Sequence, residues 1–160
     1  MNLSLAQAKW ICEAALLKGR EFTFAPLTVA VLDGGGTLVC LMREDYSALL
    51  RPEIAIGKAW GTLGMGFGGR ELQRRSEVMP HFVNSLAIMS GGRVVPVPGG
   101  VLVKDGSGLI LGAVGVSGDT SANDELCAIH GVIAAGLYPD SGSVSLDEDD
   151  IDAGTTLPGE

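Results

Sequence analysis

Basic side chains are scarce and scattered in this chain of 160 residues, where 11 lysines and arginines stand against 19 aspartates and glutamates. No basic stripe exists to neutralise phosphates, which excludes nucleic acid as a partner. Cysteine is rarer still. Cys12, Cys40 and Cys127 are odd in number and far apart, which argues against a disulfide framework and fits a reducing cytoplasm. No apolar run approaches the roughly 20 residues of a membrane span. The first ten residues, MNLSLAQAKW, also lack the basic start and apolar core of an export signal. A cytoplasmic protein with no membrane partner is expected. Aromatic residues, at 5%, favour none of the functional readings weighed below.

What the chain does have is 46% hydrophobic residues, enough in this length for one sizeable core. The acidic surplus gathers at one end: Asp147, Glu148, Asp149, Asp150, Asp152 and Glu160 meet no basic residue there, whereas residues 1–140 carry 13 acids and 11 bases. The expected organisation is one domain over 1–140 and an acidic, solubilising, disordered tail over 141–160.

Ser4 and Gln7 have the spacing of a capping box, and Leu5, Ala8, Ile11, Ala15 and Leu16 share a helical face until Gly19 ends the run. Residues 27–33 and 37–42 are β-rich and joined by three glycines, the pattern of a hairpin. A helix opens at Pro52, and shorter helices over 70–79 and 81–89 are divided by Pro80. The second half returns to strands: VVPV (94–97), GGVLVKD (99–105) and LILGAVGVSG (109–118) are extended, and Ser121 with Asp124 caps a last helix. Hairpins with helices set apart from them define an α+β layered fold on an antiparallel sheet.

Gly64 to Gly69 spell G-x-G-x-x-G, but a helix precedes them and no acid stands near Met89 for a ribose. A loop between helices is therefore expected, not a dinucleotide site. Chemistry is better sought where Ser117, Gly118, Asp119 and Thr120 leave a strand and open a helix, since the first N–H groups of a helix can receive an anion or be satisfied by a cap. Lys58 is the one charge in IAIGKAWGTLG; it either snorkels outward or faces a polar cavity, where it could pair with an anion or act as a base. Arg43, followed by Glu44 and Asp45 at the hairpin mouth, is a candidate bidentate anion clamp. His81 and His130 do not make a metal site by spacing, but haem needs only one or two axial ligands and leaves a histidine, tyrosine or methionine open. Cys127, among apolar neighbours, is expected to be an inert buried thiol.

VAVLDGGGTLVCLMRED, then PEIAIGKAW, then VPGGVLVKDGSGLILGAVGVSGDTSANDELCAIHG resemble the GlcG/HbpS-like family, also called the haem-degrading domain family and related to the corrinoid-associated domain of PduO-type proteins. The resemblance runs to about Leu137. It implies a five-stranded antiparallel sheet of two hairpins covered by helices, and a homo-oligomer. Matching positions are Asp33, Arg43, Asp45, Lys58, Gly99, Gly100, Ser117, Gly118 and Asp124. The chain departs from the family pattern in GDTSAND, in the glycines of 64–69 and in its acidic tail.

Three readings follow. In the first, a cytoplasmic protein binds haem, a corrinoid or another anionic small molecule near Lys58 and the Ser117 helix start, with Arg43, Asp45, Gly99, Gly100, Gly118 and Asp124 around it. In the second, a cofactor-independent catabolic enzyme acts on a small carboxylate or hydroxy acid, with Lys58 or Asp124 as acid or base. The third is an oligomeric catabolic accessory protein without a ligand.

Overall fold

The computed structural model describes residues 2–142; most of the expected acidic tail, from 143 onward, lies outside the described residues. The elements are α1 (Leu5–Glu21), β1 (Thr28–Asp33), β2 (Leu38–Arg43), α2 (Arg51–Met65), α3 (Gly69–Val78), α4 (Pro80–Met89), β3 (Gly100–Lys104), β4 (Ile110–Ser117), α5 (Ser121–Ala134) and β5 (Tyr138–Asp140). The strands form one antiparallel sheet in the order β2-β1-β4-β3-β5, two hairpins joined through β1 and β4 with a short strand added at the edge. The α+β architecture expected from the sequence is the one observed.

Strand alternation sorts the sheet into two faces. Val29, Val31, Val101, Val103, Val114 and Val116 face α1 and α5 and make the main core with Ile11, Cys12, Cys127 and Val132. The other face is covered by α2, where Ala59 packs on Leu32, Leu102 and Ala113. This second face is lined with small residues because α2 lies almost on the strands. A Cβ on Gly115 would stand 1.9 Å from the Ala55 carbonyl oxygen, and one on Gly100 would stand 2.5 Å from that of Lys58.

Several boundaries differ from the sequence expectations, each for a local reason. Helix α1 has its Ser4–Gln7 capping box but continues past Gly19, whose missing side chain lets Leu27 pack against it. Residues 94–97 are not a strand. Pro96 and Pro98 remove ladder donors, and Val94 and Val95 instead pack on α2 at Gly61 and Gly57. The fifth strand is Tyr138–Asp140, paired with β3. The cap of α5 is Thr120, whose hydroxyl accepts the Asn123 N–H at 3.2 Å, while Ser121 is already helical. The chain stays on the body through Ser141, whose carbonyl accepts the Arg70 N–H at 3.0 Å. No helix among the described residues is long and apolar enough to cross a membrane.

Candidate functional site

Antiparallel register gathers the polar residues at one end of the sheet. Thr28 pairs with Arg43 on β2 and with Ser117 on β4, so these three stand in a row on the α2 face. Each is held by the chain leading into α2 or by its first turn. Thr28 and Ser47 share a hydroxyl hydrogen bond of 2.8 Å, Arg43 donates to the Ser47 carbonyl, and Arg51 Nη1 donates to Ser117 Oγ at 3.1 Å. Neither Thr28, Ser47 nor Arg51 stood out in the sequence as a site residue, because a threonine in a strand, a serine in a loop and an arginine before a proline are ordinary there.

Two turns further along α2 from Arg51, Lys58 is 3% exposed and does not snorkel outward. Its Nζ donates to Asp124 Oδ2 and to the Val116 carbonyl, both at 2.9 Å. Asp124, 1% exposed, accepts in addition the Asp119 N–H at 2.9 Å. Gly99 makes this arrangement fit: its φ of +112° suits glycine, and a Cβ there would come within 2.9 Å of the Lys58 ammonium. Burial lowers the Lys58 ammonium from its ordinary value and raises the Asp124 carboxyl, each against the pull of the other's charge. The junction after β4 is closed in the same manner. Asp119 accepts N–H groups of Ala25 and Thr120 and the Asn123 amide, which hold its carboxyl below the usual range. Asp119 and Asp124 thus supply carboxylates of the chain's own at the start of α5, and Lys58 is bonded to one of them.

Open space lies at the outer edge of the row instead. A cleft of about 530 Å³ is lined by Arg20, Pro26, Arg43, Glu44, Asp45 and Tyr46. Arg20 Nε pairs with Glu44 at 2.8 Å, and the other Glu44 oxygen accepts the Leu27 N–H at 2.7 Å. Gly118 backs the cleft wall, since a Cβ on it would press within 2.3 Å of the Pro26 carbonyl oxygen. The candidate residues therefore divide. Lys58, Gly99, Gly100, Ser117 and Asp124 make a sealed polar core under α2, whereas Arg43 and Asp45 open onto the cleft and Gly118 supports it. Sequence reasoning passed over Arg20, and it left a tyrosine open as a haem ligand without singling out Tyr46, one of two tyrosines in the chain.

Other expected residues lie elsewhere. Asp33 fastens the first hairpin turn, accepting the Gly35 and Thr37 N–H groups at 2.9 and 3.0 Å at the far end of β1. His81 is on α4 and His130 on α5, and neither lines the cleft. Burial pushes the Cys127 thiol up to about 12, as an inert core cysteine requires.

A five-stranded sheet with α1 and α5 on one face and α2 on the other is a fold shared with solved proteins. PduOC in complex with haem matches with a TM-score of 0.77 at 25% identity, over 86% of this chain and 97% of that one. The ORFY protein of Klebsiella pneumoniae matches with 0.75 at 28%, over 84% and 90%. HbpS matches with 0.72 at 23%, over 83% and 89%, which speaks to the fold alone. In sequence, an uncharacterised 15.0 kDa protein encoded between dhaT and dhaS in Citrobacter freundii is 31% identical over 128 residues, 79% of this chain and 87% of that protein. The model of the haem-degrading HbpS-like family matches residues 3–133, and the chain belongs to that family.

Proposed function

We propose that this protein binds a tetrapyrrole, haem or a corrinoid, in the cleft at the Arg43 end of the sheet. The similarity to the PduOC haem complex over 97% of that chain carries the reading. The guanidinium groups of Arg20 and Arg43 suit peripheral carboxylates, but the remaining lining of Pro26, Glu44, Asp45 and Tyr46 offers a flat ring little apolar surface, and Arg20 is paired with Glu44. When bound, haem would supply the redox chemistry of its iron. The protein's part is to hold the ring and set what surrounds it. Lys58 and Asp124 have little claim to acid–base catalysis, since both are buried and committed to partners within the chain.

The reading extends to a homo-oligomer working in the cytoplasm as a catabolic accessory. Phe82, Ile88 and Met89, exposed on α4, favour self-association, and three cysteines favour a reducing compartment. The gene position of the Citrobacter freundii relative between dhaT and dhaS favours an accessory role.

Titration with haemin tests the binding. A saturable shift of the Soret band is expected, and Arg43→Ala should weaken it about tenfold, the equivalent of one charge-assisted hydrogen bond. Absence of a saturable change in the wild type rejects haem; the same titration with a corrinoid decides for the alternative ring.

A further inference from the structure

The three cysteines are far apart in sequence, yet the fold brings two of them together. Cys40 on β2 is the cross-strand partner of Val31, whose side chain belongs to the core beneath α1. Cross-strand partners share a face, so Cys40 points toward α1 and packs against that core. Cys12 comes down from α1 onto the same place: its thiol reaches the Val29 carbonyl at 3.9 Å and stands in hydrogen-bond contact with the Cys40 thiol. The two differ in access. Cys12 is fully buried, whereas Cys40 lies on an edge strand and is half-buried. Burial, and after it the adjoining Cys40 sulfur, push the Cys12 thiol up, so a reagent from solvent meets Cys40 first. Cys127 stands apart, against Gly19, about 10 Å further along α1.

We infer that Cys12 and Cys40 form a reversible redox site, joined as a disulfide by a hydroperoxide and released by a dithiol. The site is independent of what the cleft binds. The Cys40 sulfur attacks the peroxide: a sulfur–oxygen bond forms, the oxygen–oxygen bond breaks, and the leaving oxygen departs with the thiol proton as water or an alcohol. The Cys12 sulfur then attacks the Cys40 sulfenic acid, whose hydroxyl leaves as water with the Cys12 proton. Two electrons pass from the two thiols to one peroxide. Closing the sulfur–sulfur distance to about 2 Å draws β2 toward α1, and β2 is free to move because β1 alone holds it in the sheet. The cross-link fastens the strand that carries Arg43 to the cleft.

Peroxide treatment of the wild type, Cys40→Ser and Cys12→Ala, followed by intact mass and peptide mapping, tests the site. The wild type should lose about 2 Da, yield one peptide pair joined through Cys12 and Cys40, and regain its mass in dithiothreitol. Cys40→Ser should keep Cys12 reduced. Cys12→Ala should gain about 16 or 32 Da, because oxidation at Cys40 then runs on without a resolving thiol. Amide exchange along β2 should slow in the oxidised wild type. No mass change in the wild type, oxygen added at Cys40 with Cys12 still free, or a cross-link that includes Cys127 overturns the site. Oxidation of Cys12 in Cys40→Ser overturns the order of attack, and unchanged exchange along β2 overturns the fastening. Mapping the wild type keeps the test valid even where a variant fails to fold.

Discussion

At the scale of single residues, the Lys58–Asp124 pair is the costliest polar commitment in the molecule. Two charges nearly without exposure are kept by a short ion pair, by the Val116 carbonyl and by the Asp119 N–H, so each is stable only while the others are present. Lys58→Met should destabilise the fold by about 3–5 kcal/mol, because it strands a buried carboxylate. Adding Asp124→Leu should recover part of that loss, though not all, since the Asp119 N–H is then left without its acceptor. Urea unfolding of the two single variants and the double variant measures the coupling; equal, additive losses would show that the pair is not what holds α2 to α5. Lys58 was legible in the sequence as an anomaly, a lone charge in an apolar helix. Its destination was not, for its partner lies 66 residues away and only the packing of α2 against the β4–α5 junction brings them together.

At the scale of elements, α2 is placed by what the strands beneath it lack. Gly100 and Gly115 are cross-strand partners and both face α2, so its backbone settles onto a floor without side chains. Gly115→Ala should lower stability by about 1–3 kcal/mol or more, since no flexible side-chain end is present to yield before the Ala55 carbonyl. The loss would appear as a fall in melting temperature, together with weaker amide-exchange protection along α2. Unchanged protection there would mean that the helix is not seated by this contact. The hairpins and long helices were readable in the sequence from periodicity and capping. What escaped were elements decided by tertiary pairing: β5, three residues including a proline at a sheet edge, and residues 94–97, whose strand-like composition is overruled by two prolines and by packing on α2.

At the scale of the whole molecule, the start of α5 is tied to the segment after α1 at the end that carries the cleft, and the tie is acidic. Asp119 reaches from the start of α5 to the Ala25 N–H, fixing the segment after α1 that supplies Pro26 to the cleft wall. Its hydrogen bonds lower its carboxyl from the ordinary value of 3.8, and Glu71, beside Arg74 and Arg75, is lowered to about 2. A carboxyl with a depressed value in the folded state stabilises the protein above its unfolded value and loses that contribution as pH falls through the folded one. Asp124 works in the opposite sense, because burial raises it and the folded state takes up its proton sooner. Stability should therefore decline below about pH 4 as the lowered carboxyls are protonated, whereas the proton uptake of Asp124 falls above its ordinary value of 3.8. Asp119→Asn should flatten the decline and lower stability near neutral pH, where the charged acceptor is lost. Thermal melts from about pH 2 to pH 7 compare the two proteins across the window in which these carboxyls titrate. Parallel curves would show that Asp119 contributes no charge-dependent stability. A flatter curve for Asp119→Asn, accompanied by weaker haemin binding at neutral pH, would connect this acidic tie to the cleft wall it positions.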